Sequence, residues 1–262
     1  MPTTRTPIKT TAAPAGNDGT QAIRRAGAML KAIAKSGAAG ASLAEIARSE
    51  DLPRSTVHRI LKCLVEEGFV EQPGTDKRYQ MGRLIHEYGL TSVSSSVEIA
   101  RWRHVVEAVA RRTGATSYLM RRSGMEAVCL VKADGHSVVR FVPVEVGQRR
   151  LLGVGAGATA LLAALDAEQM DHVIRSVAPG LAAYPRLDPD SLRAAVKLVK
   201  KTGFAISQGT VVDDGFGMGM AIPQQGGASH LAISIAAHAS LVTESSIAAW
   251  KKVIAEEIGA WT

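Results

Sequence analysis

Between residues 52 and 65 the apolar positions recur at helical spacing. Val57, Ile60, Leu61, Leu64 and Val65 share an arc of roughly 140° at about 100° per residue, enough to seal one face of a helix onto a core. The opposite side carries Ser55, Arg59 and Lys62, with Thr56 and His58 at its margins. Pro53 suits the first helical position, where its missing N–H has no intrahelical partner to lose. Two earlier segments share the helical period. Residues 21–36 repeat Ile23, Ala26, Met29, Leu30 and Ile33 before Gly37 and Gly40 break the pattern. Ser42, with Glu45 three residues on, is a capping box that opens a second helix with Leu43, Ile46 and Ala47 inward. After Gly68 the period becomes strand-like: residues 69–72, the turn Pro73-Gly74-Thr75-Asp76 and residues 77–81 predict a hairpin. On its own the half-cationic helix reads equally well as a solvated surface helix or as one fitted to a DNA major groove. Three short helices followed by a hairpin with cations at its turn is the order of a winged helix-turn-helix, and that order favours DNA.

Residues 82–95 predict a short connecting helix and a loop. Ser94 to Ser96 form a polar break, with Ser95 and Glu98 as a further capping pair, and the domain boundary is placed near Ser94. A helix over 97–113 presents Ile99, Trp102, Val106, Val109 and Ala110. Strands are predicted at 116–121, 127–132 and 137–144, separated by Ser123-Gly124 and Asp134-Gly135. Gly153-Val154-Gly155-Ala156-Gly157-Ala158 leads into a helix through Leu165. Asp188-Pro189 starts another with Leu192, Ala195, Val196 and Val199 inward. Strands follow at 204–207, 216–222 and 231–236, and a final helix from Thr243 presents Ile247, Trp250, Ile254 and Ile258. Strands segregated from helices in this way predict an α+β domain with a mainly antiparallel sheet. The expected division is a disordered tail over 1–19, rich in Thr, Pro, Ala and Gly, a winged helix-turn-helix domain over 20–82, a linker over 83–96 and a second domain over 97–262.

Composition adjusts this picture only slightly. A chain of 262 residues can bury two cores. Its 31 Lys and Arg against 24 Asp and Glu give a net charge of +7, an excess that permits a polyanionic partner without requiring one. Residues 1–90 hold 13 cationic and 9 acidic side chains, so the N-terminal third is the more basic part. Cys63 and Cys129 make no disulfide framework and read as inert thiols in apolar surroundings, in keeping with a reducing cytoplasm. With no apolar run of about 18 residues and no apolar signal core, the expectation is a soluble cytoplasmic protein with no membrane partner. His58, His86, His104, His136, His172, His230 and His238 are scattered, so no metal site is expected. Gly153 to Gly157 lacks the spacing of a dinucleotide fingerprint, and there is neither a nucleophile elbow nor a Gly-rich loop ending in Lys-Ser or Lys-Thr. No cofactor and no catalytic residues are expected.

Several stretches together resemble the N-terminal domain of IclR-family transcriptional regulators: Ile46-Ala47, Leu52 to Leu61, Glu66-Glu67-Gly68-Phe69-Val70 and Arg78-Tyr79-Gln80-Met81-Gly82. The likeness is dense over residues 20–90 and looser to the C-terminus. It implies a GAF-like second domain that binds a small effector, and a homodimer or homotetramer on a palindromic operator in double-stranded DNA. Arg54, Ser55, Thr56, His58, Arg59 and Lys62 are the candidate DNA contacts on the helix, Lys77 and Arg78 those on the wing, and Arg24 and Arg25 add backbone contacts. For the effector, the resemblance carries over Gly155, Ala156, Ser207, Gly209, Met218, Met220 and Ser234. From the residues alone, Gly155-Ala156-Gly157 at a helix start could equally offer amides to an anion or simply let the helix pack closely. The chain departs from the family pattern at Thr210, where an acidic residue is frequent, in an apparent extra residue within 213–220, and at Ala236-Ala237-His238, which replaces a Ser-Gly-Pro-like ending. Met218 and Met220 predict an apolar, adaptable wall and a carboxylate or aromatic effector. The expected role is ligand-responsive control of a catabolic operon. The alternative is a small-molecule-processing enzyme with an accessory N-terminal domain, against which stands the lack of any acid, base and nucleophile set.

Overall fold

A computed structural model describes residues 20–91, 93–137, 144–224 and 227–262. The tail over 1–19 and most of the strand expected at 137–144 lie outside the described residues, as does the Ser95 side chain of the expected cap. The chain forms two compact units: one runs to Arg83, the other comprises Leu84–Thr262, and Ala34–Ala39 groups with the second.

The first unit contains helices α1 (Thr20–Lys35), α2 (Leu43–Ser49) and α3 (Arg54–Glu66). A small antiparallel sheet of β1 (Ala41–Ser42), β2 (Val70–Glu71) and β3 (Arg78–Met81) has the order β1-β3-β2. The capping box forms as the sequence predicts. Ser42 Oγ accepts from the Glu45 N–H at 3.3 Å, and the Glu45 carboxylate accepts from the Ser42 N–H at 2.7 Å. Met29, Ile33, Ile46, Val57, Leu61, Leu64, Val70 and Tyr79 make the core. Its reach is narrower than the apolar arcs of the sequence. Ile23, in the first turn of α1, is 74% exposed, and Val65, at the rim of the α3 arc, is 40% exposed. Pro53 caps α3 from outside rather than opening it. Gly82 closes the base of the hairpin, donating to Phe69 O at 2.9 Å. A Cβ there would collide with the Gly68 carbonyl.

The second unit begins with α4 (Arg83–Thr91), which buries no residue, and α5 (Val93–Thr113). The polar break expected at Ser94 to Ser96 is therefore helical. Six antiparallel strands follow in the spatial order β6-β5-β4-β9-β8-β7: β4 (Thr116–Ser123), β5 (Glu126–Ala133), β6 (Arg149–Leu151), β7 (Ala205–Gln208), β8 (Gly215–Ala221) and β9 (Leu231–His238). One face packs on α5 and α9 (Glu244–Gly259), through Trp102, Val106, Ile233, Trp250 and Ile254. The other is covered by α6 (Ala156–Ala163) and α8 (Pro189–Thr202), with α7 (Ala167–Val177) packed behind them in the same core. The sequence reading lacks β6, a three-residue edge strand, and α7. The signal for α7 is present: Asp166 accepts from the Gln169 N–H at 2.7 Å as N-cap, and Val173, Ile174 and Val177 face inward.

All eight residues of α6 are buried, so this helix has no polar side and must be enclosed. The sheet accommodates it with small residues. Gly217 and Gly219 of β8 and Ala232, Ser234 and Ala236 of β9 occupy the strand positions turned toward α6. A Cβ on Gly219 would come within 3.1 Å of the Ala156 backbone. This close approach positions the cavity described next.

Candidate DNA surface and ligand cavity

On α3 the core side is Val57, Leu61 and Leu64, so about 100° per residue turns Ser55, Arg59, Lys62 and Glu66 outward. Arg54, Ser55, His58, Arg59 and Lys62 are exposed and Thr56 is half-buried. Lys62 pairs with Glu66 one turn on at 3.8 Å, an exposed contact of little worth that a phosphate can displace. Pro53 supplies no side-chain cap, so the first-turn amides of α3 stay available to an anion. On α1, Arg24 is exposed and Arg25 half-buried. Lys77 stands exposed at the wing turn with φ of 55°, and its carbonyl accepts from Gln72 Nε2 at 3.0 Å.

On this unit one candidate contact has a second role and one expectation needs correction. Arg78 belongs to the frame of the unit. Its guanidinium donates to the Gly40 carbonyl at 2.8 Å and to the Glu45 carboxylate at 2.9 Å, tying the wing to α2, because β3 pairs Arg78 with Ser42. Cys63 is exposed, one turn beyond Arg59, whereas Cys129 is buried and its thiol is pushed up to about 12, mainly by burial. An aromatic disulfide reagent is expected to modify one thiol per native chain, Cys63, with Cys129 reacting only on unfolding. Rapid reaction of both in the native chain would contradict this burial.

In the second unit, a cavity with about 540 Å³ of free space, open in part to solvent, lies between the amino end of α6 and strands β4, β8 and β9. Gly155, Ala156, Ser207 and Ser234 line it, together with Tyr118, Met120, Arg150 and Val211. Gly209 does not. It turns the chain after β7 with φ of 63°, and Arg186 packs where its side chain would be. Met218 and Met220 also stand elsewhere, in the core under α5 and α9. Side chains alternate along a strand, and on β8 the glycines take the cavity side. The register of 213–220 follows from the pairing: Gly217 lies opposite Ser207 of β7 and Ala236 of β9. The Gly-Phe-Gly-Met-Gly-Met alternation carried this signal.

The polar equipment is sparse. Arg150 is the one charged residue among the described lining. Burial pushes its guanidinium below the ordinary arginine value, and Tyr184 and Tyr118 are the groups around it that oppose the shift. The Tyr118 hydroxyl is buried with no hydrogen-bond partner among the described residues, and burial raises its pKa. Ser207 and Thr210 share a hydroxyl contact of 2.5 Å. Thr159 Oγ1 contacts the Gly153 and Gly155 carbonyls at 3.0 and 2.9 Å, holding the loop before α6. Neither Tyr118 nor Arg150 was singled out from the sequence. Tyr118 shares the even positions of β4 with Met120, but nothing in the sequence marks a residue of a three-residue edge strand.

Among the described residues no group of three or more His, Cys, Asp or Glu could hold a metal, and no helix is long and apolar enough to cross a membrane. A winged helix-turn-helix unit with an open cationic helix, joined to a sheet-and-helix unit around a small cavity, defines a transcriptional regulator. The model of the IclR helix-turn-helix domain matches residues 22–74, and that of the bacterial transcriptional regulator IclR C-terminal domain matches residues 91–258. The chain belongs to the IclR family, whose members are transcriptional regulators and not enzymes. It is 31% identical over 194 residues to the glycerol operon regulatory protein of Streptomyces coelicolor, covering 71% of this chain and 72% of that one. It is 29% identical over 239 residues to the transcriptional repressor AllR of Salmonella typhimurium, covering 89% and 85%. Among solved structures, an IclR homolog from Microbacterium hydrocarbonoxydans complexed with 4-hydroxybenzoate matches with a TM-score of 0.68 at 20% identity, covering 91% of this chain and 99% of that one.

Proposed function

We propose that the chain is a cytoplasmic, ligand-responsive regulator in which residues 20–82 bind operator DNA and residues 97–262 bind an effector and hold copies of the chain together. The observation that carries this reading is the cavity beside α6 in a chain whose other unit presents α3 outward. Each copy offers one such helix, so a dimer or tetramer fits a palindromic operator with half-sites about one DNA turn, roughly 34–36 Å, apart. Arg54, Ser55, Thr56, His58, Arg59 and Lys62 meet the major groove, Lys77 meets the flanking backbone, and Arg24 and Arg25 add phosphate contacts. The effector acts by binding two arrangements of the paired DNA-binding units with different affinity, relayed through α4 and α5. Control of a catabolic operon is in keeping with the glycerol operon relative, and an acidic or aromatic effector with the homolog holding 4-hydroxybenzoate.

The test is binding of the full chain to DNA from upstream of its own gene, with and without candidate effectors. Affinity is expected to fall steeply with salt, as phosphate contacts require, and to change when an effector fills the cavity. Binding that ignores both salt and sequence would refute the reading.

A further inference from the structure

The loop between β7 and β8, residues 209–214, is a wall with free space on both faces. Val211 and Val212 line the ligand cavity, where Val211 stands over Gly155. The same two valines bound a second recess, which lies against Tyr184, Pro185 and Arg186 in the turn before α8. A wall with space on either side forgoes many of the contacts that hold a core residue in place. Its base, by contrast, is fixed. The Gly209 N–H donates to the Gly215 carbonyl and the Ala239 N–H to that of Asp214, both at 2.8 Å. A turn bond of 2.9 Å from the Gly215 N–H to the Val212 carbonyl keeps the second half of the loop compact. Gly209, with φ of 63°, supplies the bend at the first end. The part left to move is residues 210–213. Among the described residues its side chains make two polar ties. Thr210 shares its hydroxyl contact with Ser207, at the foot of the same loop. Asp213 reaches out of the strand pair and meets Arg186 at 3.4 Å.

We propose that residues 210–213 are a gate at the mouth of the ligand cavity, held closed by the Arg186–Asp213 ion pair. This rests on the reading that the cavity is the ligand site. Swinging the segment away from Gly155 joins the cavity to the recess and admits a molecule past Val211 and Val212. The latch is weak by construction. Its two side chains are 58% and 89% exposed, so water and salt compete for both charges. A weak latch suits a cavity that must exchange its occupant. Arg186 also has a second hold on the frame, because its guanidinium packs where a Gly209 side chain would stand. The arginine therefore stays seated at the hinge while the aspartate swings away.

The test needs no ligand. Ser234→Cys places a thiol of similar size on the cavity wall, in addition to the native Cys63 and Cys129. The full chain is labelled with methyl methanethiosulfonate, a small neutral reagent, and the three thiols are followed separately by peptide mass spectrometry. With the latch intact the introduced thiol is expected to react about tenfold or more slowly than exposed Cys63, yet faster than buried Cys129. Adding Arg186→Gln or Asp213→Asn is expected to raise its rate about two- to fivefold, the range an exposed ion pair supports. Both changes together are expected to do no more than either alone, because they break one interaction. Salt raised from about 50 mM to about 500 mM is expected to speed the latched chain relative to Cys63 and to leave the Arg186→Gln chain unmoved. Met120→Cys, at a second point of the wall, repeats the measurement if the first variant does not fold. An introduced thiol as reactive as Cys63 with the latch intact would overturn the gate, as would a rate that ignores both substitutions. A parallel rise at Cys129 would overturn it too, since that reports a loosened sheet. A gate that behaves as expected, in a chain whose DNA affinity no cavity ligand changes, would count against the regulatory reading alone.

Discussion

Replacing Arg59 with alanine is expected to weaken binding to operator DNA by about 1–3 kcal/mol, roughly 5- to 150-fold. Arg59 stands near the middle of the outward face of α3, opposite Val57, Leu61 and Leu64. It is exposed, and it has the length and fork geometry to read a guanine edge with two parallel hydrogen bonds. If the contact is to a base, the loss is confined to operator DNA and specificity relaxes at one position. If it is to phosphate, operator and scrambled DNA lose affinity together, and the salt slope falls by about one contact. Fluorescence anisotropy on both duplexes at several salt concentrations separates the two. Equal affinity of wild type and variant on both would remove Arg59 from the interface.

Leu61→Ala is expected to cost about 2–5 kcal/mol of stability, because it empties a fully buried site in the middle of the first unit's core. That unit is small, and small domains have little stability to spare. Its core cluster is separate from the two clusters of the second unit. Denaturant unfolding followed separately in each unit, for instance by hydrogen exchange, should show the first unit melting early while the second keeps its stability. DNA binding should be lost and ligand binding retained. A loss below about 1 kcal/mol would mean that the site collapses around the smaller side chain.

Much of the fold was legible because local physics decides it. The capping box at Ser42 and Glu45 forms where the pattern predicts it, since both partners lie within one turn. The core-facing residues of α8 and α9 follow helical spacing alone. Arg78 shows the limit. Its cationic side chain and wing position match those of Lys77 in sequence, and only the pairing of β3 with β1 brings its guanidinium onto Gly40 and Glu45.

The candidate cavity shows the same limit more sharply. The alternation of glycine with phenylalanine and methionine along β8 states which residues share a face. It cannot state which face meets α6, because the sheet is covered on both sides and seven of the eight residues of β9 are buried. Met218 and Met220 thus belong to the core under α5 and α9, leaving the glycine side to line the cavity. The sequence by itself determined most of the elements, the family and the outward face of α3, because periodicity and capping act over a few residues. Only the tertiary structure decided which residues line the cavity and which cation stands in it. Those choices depend on how strands far apart in the chain are ordered and on which side of the sheet each helix lands.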